Sequence, residues 1–220
     1  MKNDELLSQL LKNGIFAVIR MDDNKKLFKV IDSISKGGIK NIEITMTVPN
    51  AEGIIKELVK SVSDDVIIGA GTVLSVDETL KVISAGAKFV VSPILDLDII
   101  KVCKDKNIPV APGCYTPTEI LKGWNAGAEI IKVFPATSLG PKYFKDVHAP
   151  LPFIRMMPTG GVTIDNVKEW VDAGACAVAI GSDLLNKKLI ADENYSALTE
   201  RAAQLVKNYS EVRTDNVKGK

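Results

Sequence analysis

Four stretches of this chain end a helical pattern on a glycine and pass at once into an apolar run: KGGIKNIEI, SAGAKFVVS, NAGAEIIKV and DAGACAVAI. The aligned glycines, Gly38, Gly86, Gly127 and Gly174, recur about every 41 to 48 residues. Each interval has room for two apolar runs and two amphipathic segments. The runs are IFAVIR (15–20), NIEIT (41–45), VIIGA (66–70), KFVVS (88–92), IPVAP (108–112), EIIKVF (129–134), FIRMM (153–157) and CAVAI (176–180). Between them lie helical patterns such as NAEGIIKELVKSV, SVDETLKVISAG, TPTEILKGWNAG and TIDNVKEWVDAG. Short, near-continuous apolar runs between helical patterns mark a parallel sheet buried on both faces. Four two-strand units make eight strands, the number that closes a small barrel. Glycine also ends helices without any duplication, and an open doubly wound sheet uses the same βα units. The expected fold is α/β: a single (β/α)₈ TIM barrel spanning residues 1–220, with an extra N-terminal helix in MKNDELLSQLLKNG.

Composition closes off other classes. The net charge is +1, whereas a nucleic-acid partner requires a basic patch or stripe. The slightly basic -VKGK terminus reads as a frayed, solvated tail. Cys103, Cys114 and Cys176 are an odd, widely spread set that gives no disulfide framework. One histidine, His148, and no CxxC or HExxH give no metal site. His148 reads as a surface loop residue beside Ala149-Pro150. No run is apolar for long enough to serve as a signal peptide or to cross a membrane. A reducing cytoplasm is the expected compartment, with no cofactor, nucleic-acid or membrane partner.

Barrels carry their chemistry at the C-terminal ends of the strands. Arg20 ends the first run, Gly71-Thr72 follow the third, Ser92-Pro93 end the fourth, and Pro112-Gly113 end the fifth. Two charges lie inside apolar sequence: Glu43 in Ile42-Glu43-Ile44, and Lys132 in Ile131-Lys132-Val133. The second and sixth strands of an eight-stranded barrel face each other, so these side chains can meet inside the mouth. Burial lowers a lysine pKa, and a neutral amine attacks a ketone to form an imine. A carboxylate beside it can carry protons. A purely structural buried ion pair fits the same two residues.

The loops after the seventh and eighth runs read PTGGVT (158–163) and GSDLL (181–185). In barrels these loops often hold phosphate on backbone N–H groups at a helix N-terminus. Gly160 and Gly161 leave room for an oxyanion, and Gly181-Ser182 add a hydroxyl at the expected start of a helix. Glycine-rich turns alone also explain the pattern.

Together, E-I-T (43–45), G-A-G-T-V (69–73), S-P (92–93), P-G (112–113), I-K-V-F-P-A (131–136), P-T-G-G-V (158–162) and G-S (181–182) resemble the 2-keto-3-deoxy-6-phosphogluconate (KDPG) aldolases over nearly the whole chain. That family also cleaves 4-hydroxy-2-oxoglutarate (KHG). The resemblance implies a metal-free, homotrimeric class I aldolase of the Entner–Doudoroff pathway. It implies release of pyruvate and D-glyceraldehyde 3-phosphate from KDPG, or of pyruvate and glyoxylate from the shorter substrate. By similarity Lys132 is the Schiff-base lysine and Glu43 the general acid/base. Thr72, Pro93 and Thr159 line the pyruvate unit, and Gly160, Gly161, Gly181 and Ser182 form the phosphate cradle. Many members read E-x-T-L-R-T, with an arginine that helps hold the substrate carboxylate. Here Thr47 stands at that place. Arg20, the only arginine at an expected strand terminus, is the candidate substitute; a surface salt bridge is its other reading. Three further readings compete: an aldolase for the C4-epimeric galactonate substrate, a phosphate-binding barrel isomerase or synthase, and a non-catalytic phosphosugar sensor.

Overall fold

The computed structural model describes residues 3–218, with side chains for 4–213. In chain order it runs α1 (Asn3–Asn13), β1 (Ile15–Ile19), α2 (Asn24–Lys36), β2 (Asn41–Thr45), α3 (Ala51–Ser61), β3 (Ile67–Gly71), α4 (Val76–Ala85) and β4 (Val90–Val91). It continues with α5 (Leu97–Asp105), β5 (Val110–Ala111), β6 (Gly113–Cys114), α6 (Pro117–Asn125), β7 (Ile131–Val133) and α7 (Gly140–His148). β8 (Met156–Pro158), α8 (Val167–Asp172), β9 (Val178–Ile180), α9 (Lys187–Ala191) and α10 (Tyr195–Lys218) complete it. Every apolar run becomes strand, in segments mostly shorter than the runs. Helix α10 carries the -VKGK stretch as far as Lys218, and the rest of that tail lies outside the described residues.

All strand pairs are parallel. One sheet has the order β5-β4-β3-β2-β1-β9, and a second has β6-β7-β8. The fifth run is not the single strand expected. It forms β5, paired to β4, and past Pro112, which has no N–H to donate, the chain continues just beyond the run as β6, paired to β7. On the other side, β8 and β9 approach through a parallel bridge, Thr159 to Ala179, and a bond from Cys176 N–H to the Met156 carbonyl at 3.0 Å. The result is an α/β fold with a curled parallel sheet.

The repeat glycines have one physical role in common. Gly38, Gly86, Gly127 and Gly174 take φ of +98°, +107°, +100° and +94°, the left-handed turn that ends a helix and costs any other residue a Cβ clash. At the helix starts, Ser75 accepts from the Glu78 N–H, and Thr116 forms a reciprocal capping box with Glu119. His148, expected in a loop, is instead the last residue of α7, half-buried, with its ring bonded to the Ile154 carbonyl at 3.0 Å.

Inside the curl, Phe16, Phe89, Met157, Ile130 and Ala179 pack together, with the Phe16 and Phe89 rings edge to face at 5.1 Å. Leu6 and Leu10 of α1 are buried against this cluster, each contributing about 1.5–3 kcal/mol of apolar burial. Asn41 donates to the Leu10 carbonyl at 3.0 Å and accepts from Asn13, and Arg213 of α10 donates to the Leu11 and Lys12 carbonyls. These bonds satisfy orphan groups at the end of α1 and fix it across the end of the interior opposite the strand C-termini. Among the described residues, no helix is long and apolar enough to cross a membrane.

Candidate active site

Alternation along β2 sends Asn41, Glu43 and Thr45 to one face and Ile42 and Ile44 to the other. Glu43 lies beside Val18 of β1 and Gly69 of β3. It is 1% exposed, and neither carboxylate oxygen has a hydrogen-bond partner. Two inward glycines of β3 make the room. A Cβ on Gly69 would strike the Phe89 ring, and a Cβ on Gly71 would strike the Glu43 carboxyl group.

Lys132 is central in β7, beside Gly113 and Met157. It is 4% exposed, and its Nζ stands 4.8 Å from the centre of the Phe134 ring. Gly113 again provides space: a Cβ there would overlap the Pro93 carbonyl group, so the chain after β4 lies directly on β6 next to Lys132. No ion pair joins Lys132 to Glu43 or to any other described residue. The structural ion pair that the sequence allowed is absent.

Burial pushes the Glu43 pKa up, against smaller downward pulls from Lys132 and Arg20. It pushes the Lys132 pKa down, with Glu43 raising it and Arg20 lowering it further. Both shifts favour the uncharged forms. The arrangement thus places an amine whose charged form is disfavoured in the same interior as a carboxyl group whose charged form is disfavoured, the latter with both oxygens unsatisfied.

Around this pair the remaining candidates take distinct positions. Arg20 is exposed and forms no hydrogen bond or ion pair among the described residues. It shares the wall of an approximately 870 Å³ cavity with Thr47, Gly181, Ser182 and Lys187. The Thr47 hydroxyl is engaged with that of Thr45 at 2.7 Å. Thr72, after β3, has φ +58°, an unusual conformation for a β-branched residue. Pro93 is half-buried against Gly113. Thr159 is 8% exposed, and its hydroxyl has no partner. Gly160 and Gly161 follow it with φ of +90° and +75°, pressed against Thr137 so closely that a Cβ on Gly161 would come within 2.9 Å of Thr137 Cα.

One expectation needs correction. Ser182 does not open a helix. It sits in a turn closed by Leu185 N–H to Gly181 carbonyl at 2.9 Å, and α9 starts only after Asn186, whose side chain caps it. Likewise α8 starts at Val167, beyond the Gly160-Gly161 loop. Any oxyanion here meets turn N–H groups rather than a helix N-terminus. Gly71 and Gly113, named from the sequence only as strand-end residues, gain a steric reason here, and Phe134, given no role there, stands against Lys132. Glycines inside strand patterns are the signal that points to such close approaches.

Residues 6–201 match the family model described as KDPG and KHG aldolase. The chain belongs to the KDPG/KHG aldolase family. It is accordingly an aldolase, a carbon–carbon lyase. Among its relatives is the 2-dehydro-3-deoxy-6-phosphogalactonate aldolase of Escherichia coli K12, 31% identical over 91% of this chain and 96% of that protein. A 2-dehydro-3-deoxy-phosphogluconate aldolase of Haemophilus influenzae is 30% identical over 92% of this chain and 95% of the other. A solved KDPG aldolase from Legionella pneumophila, with pyruvate captured as a covalent carbinolamine, superposes with a TM-score of 0.84 at 26% identity, covering 91% of this chain and 97% of that one.

Proposed function

We propose that this aldolase cleaves 2-keto-3-deoxy-6-phosphogluconate to pyruvate and D-glyceraldehyde 3-phosphate through an imine on Lys132, and 4-hydroxy-2-oxoglutarate to pyruvate and glyoxylate by the same route. The observation that carries this reading is the pair of buried, mutually unpaired ionisable groups, Glu43 and Lys132. Desolvation of both without an ion pair between them is costly in a folded protein and gains nothing structurally. In the proposed cycle the Lys132 amine adds to the C2 carbonyl. The carbinolamine loses water with a proton from Glu43, giving a protonated imine. Glu43, now a carboxylate, takes the proton of the C4 hydroxyl as the C3–C4 bond breaks and the aldehyde leaves. The enamine is protonated at C3, and hydrolysis frees pyruvate and the amine.

Thr72, Pro93 and Thr159 are proposed to line the pyruvate unit, Arg20 to hold its carboxylate, and Gly160, Gly161, Gly181 and Ser182 to hold the phosphate. The bridge between Thr159 and Ala179 and the shared fifth run support a closed (β/α)₈ barrel with α1 as an added N-terminal helix, one domain in all. A homotrimer is the assembly implied by the family, and exposed Leu74, Ile94 and Leu97 offer apolar surface for subunit contact. The C4-epimeric phosphogalactonate is the second substrate reading, favoured by the galactonate relative at 31% identity.

Pyruvate release measured side by side on the phosphogluconate, its C4 epimer and 4-hydroxy-2-oxoglutarate separates these readings. Sodium borohydride with pyruvate should add mass to the peptide carrying Lys132, and Lys132→Ala should lose both trapping and turnover. Trapping that persists in that variant would remove Lys132 from the mechanism.

A further inference from the structure

The loop after β9 holds a residue with no role in the imine chemistry and an unusual set of contacts. Asp183 follows Ser182, yet its side chain turns back to the neighbouring loop. Its Oδ2 accepts the Ile164 N–H at 2.9 Å and pairs with Arg201 of α10 at 3.5 Å. Arg201 also donates to the Asp183 carbonyl at 2.6 Å. Asn208, two turns further along α10, donates to the Ile164 carbonyl at 2.9 Å. The glycine loop has its own brace within this frame. The Asn166 side chain donates to the Gly161 carbonyl at 2.8 Å and accepts from the Thr163 N–H, and the Asn166 backbone N–H donates to the Thr163 hydroxyl. On the opposite side Thr137 presses on Gly160 and Gly161.

We propose that Asp183 is a positioning residue for the oxyanion cradle, which sets the spacing between the Gly160-Gly161 loop and the Gly181-Ser182 turn through its bond to Ile164. This rests on the phosphate-cradle reading above. The physical reason is the absence of a helix N-terminus behind either loop. A phosphate held by turn N–H groups gains only if those groups are fixed in advance, because ordering them at binding subtracts from affinity. Two loops from different βα units have no covalent reason to keep a set separation. The Asp183–Ile164 bond supplies one, and α10 anchors both of its ends. Since the Asp183 side chain is engaged with Ile164 and Arg201, behind the cradle, and makes no contact with Lys132 or Glu43, the effect is confined to substrates that carry a phosphate.

The test compares KDPG and 4-hydroxy-2-oxoglutarate as substrates, with inorganic phosphate as a competing ion. Asp183→Ala should raise KM for the phosphorylated substrate, and the inhibition constant for phosphate, by about tenfold, the scale of one lost charge-assisted hydrogen bond. Turnover and KM on 4-hydroxy-2-oxoglutarate should change by less than about twofold, which a general loss of structure would not allow. Asp183→Asn keeps an oxygen acceptor and should lose less; it carries the same comparison if the alanine variant does not fold. Equal losses on both substrates, or no change on the phosphorylated one, would overturn the positioning role alone. A wild-type enzyme indifferent to phosphate, in substrate or in buffer, would instead overturn the cradle reading beneath it.

Discussion

The Glu43 carboxyl group occupies the space that a side chain on Gly71 would fill. The relationship ties a bare backbone position on β3 to the proposed proton carrier on β2. Gly71 lies within the strand and not in a left-handed turn, so alanine fits its backbone. Gly71→Ala should therefore fold, while its methyl group pushes the carboxyl group out of place. A displacement of about 1 Å at a catalytic group costs on the order of 10²-fold. The expected result is a fall in kcat of roughly 10- to 100-fold with intact far-UV circular dichroism. Wild-type turnover in this variant would mean that Glu43 does its work from another position, or does none.

Lys132 is pulled in opposite directions by its two charged neighbours, and this gives a pH test with a definite sign. Glu43 raises the Lys132 pKa, and Arg20 lowers it. Imine formation needs the free amine, so its rate rises with pH up to the lysine pKa. Glu43→Gln removes the raising influence, and the limb should move to lower pH. Arg20→Ala removes a lowering influence, and the limb should move to higher pH. Glu43→Gln should also lower kcat by about 10²–10⁴-fold, the usual share of general acid–base catalysis. Borohydride trapping with pyruvate across the pH range reads both shifts. Shifts in the same direction would contradict the arrangement of charges around Lys132.

Thr72 holds a left-handed φ of +58°. For a β-branched residue such a conformation costs on the order of 1–3 kcal/mol and persists only where its surroundings impose it. Thr72→Gly relieves that strain. It should raise thermal stability by about 1 kcal/mol while weakening substrate binding through the lost hydroxyl. Calorimetry and KM for a pyruvate-forming substrate measure the two sides. A destabilised variant with unchanged KM would show that Thr72 serves packing instead.

The buried charges were legible because they break an apolar run: Glu43 between isoleucines and Lys132 between Ile131 and Val133 leave no polar face to point at water. The four repeat glycines were legible too, since each marks a left-handed helix end. The division of the fifth run was not. Its IPVAP pattern reads as one strand ending at Pro112-Gly113, and only the pairing of β5 and of the residues just past Pro112 with different neighbours reveals the break there. Nor was the absence of helix N-termini behind the glycine loops. That depends on where α8 and α9 begin, and Thr163, Asn166 and Asn186 all offer plausible caps in the sequence. Asp183 was hidden for a related reason. Its partners Ile164 and Arg201 lie far from it in the chain, and nothing local announces their meeting.

Arg20 is predicted to bind the substrate carboxylate in place of the arginine that Thr47 replaces. Every 2-oxo acid in this reaction class presents a carboxylate next to the reacting carbonyl. Thr47 cannot hold it as a cation would, and its hydroxyl is already engaged with Thr45. Arg20 follows the neighbouring strand, lines the same cavity as Thr47, and has no partner to give up among the described residues. A guanidinium offers two parallel hydrogen bonds to a carboxylate. Arg20→Ala should raise KM for pyruvate-forming substrates by an amount matching about 1.5–3 kcal/mol of charged hydrogen bonding. Arg20→Lys separates the fork from the charge. It should leave the pH limb near its wild-type position, because a cation remains near Lys132, yet still raise KM, because the planar pair of donors is lost. An arginine introduced at position 47 of the Arg20→Ala variant should recover part of the affinity. Unchanged kinetics in Arg20→Ala, or an Arg20 side chain turned away from bound pyruvate in a crystal structure, would return the residue to a surface role and leave the carboxylate to Thr72 and backbone N–H groups.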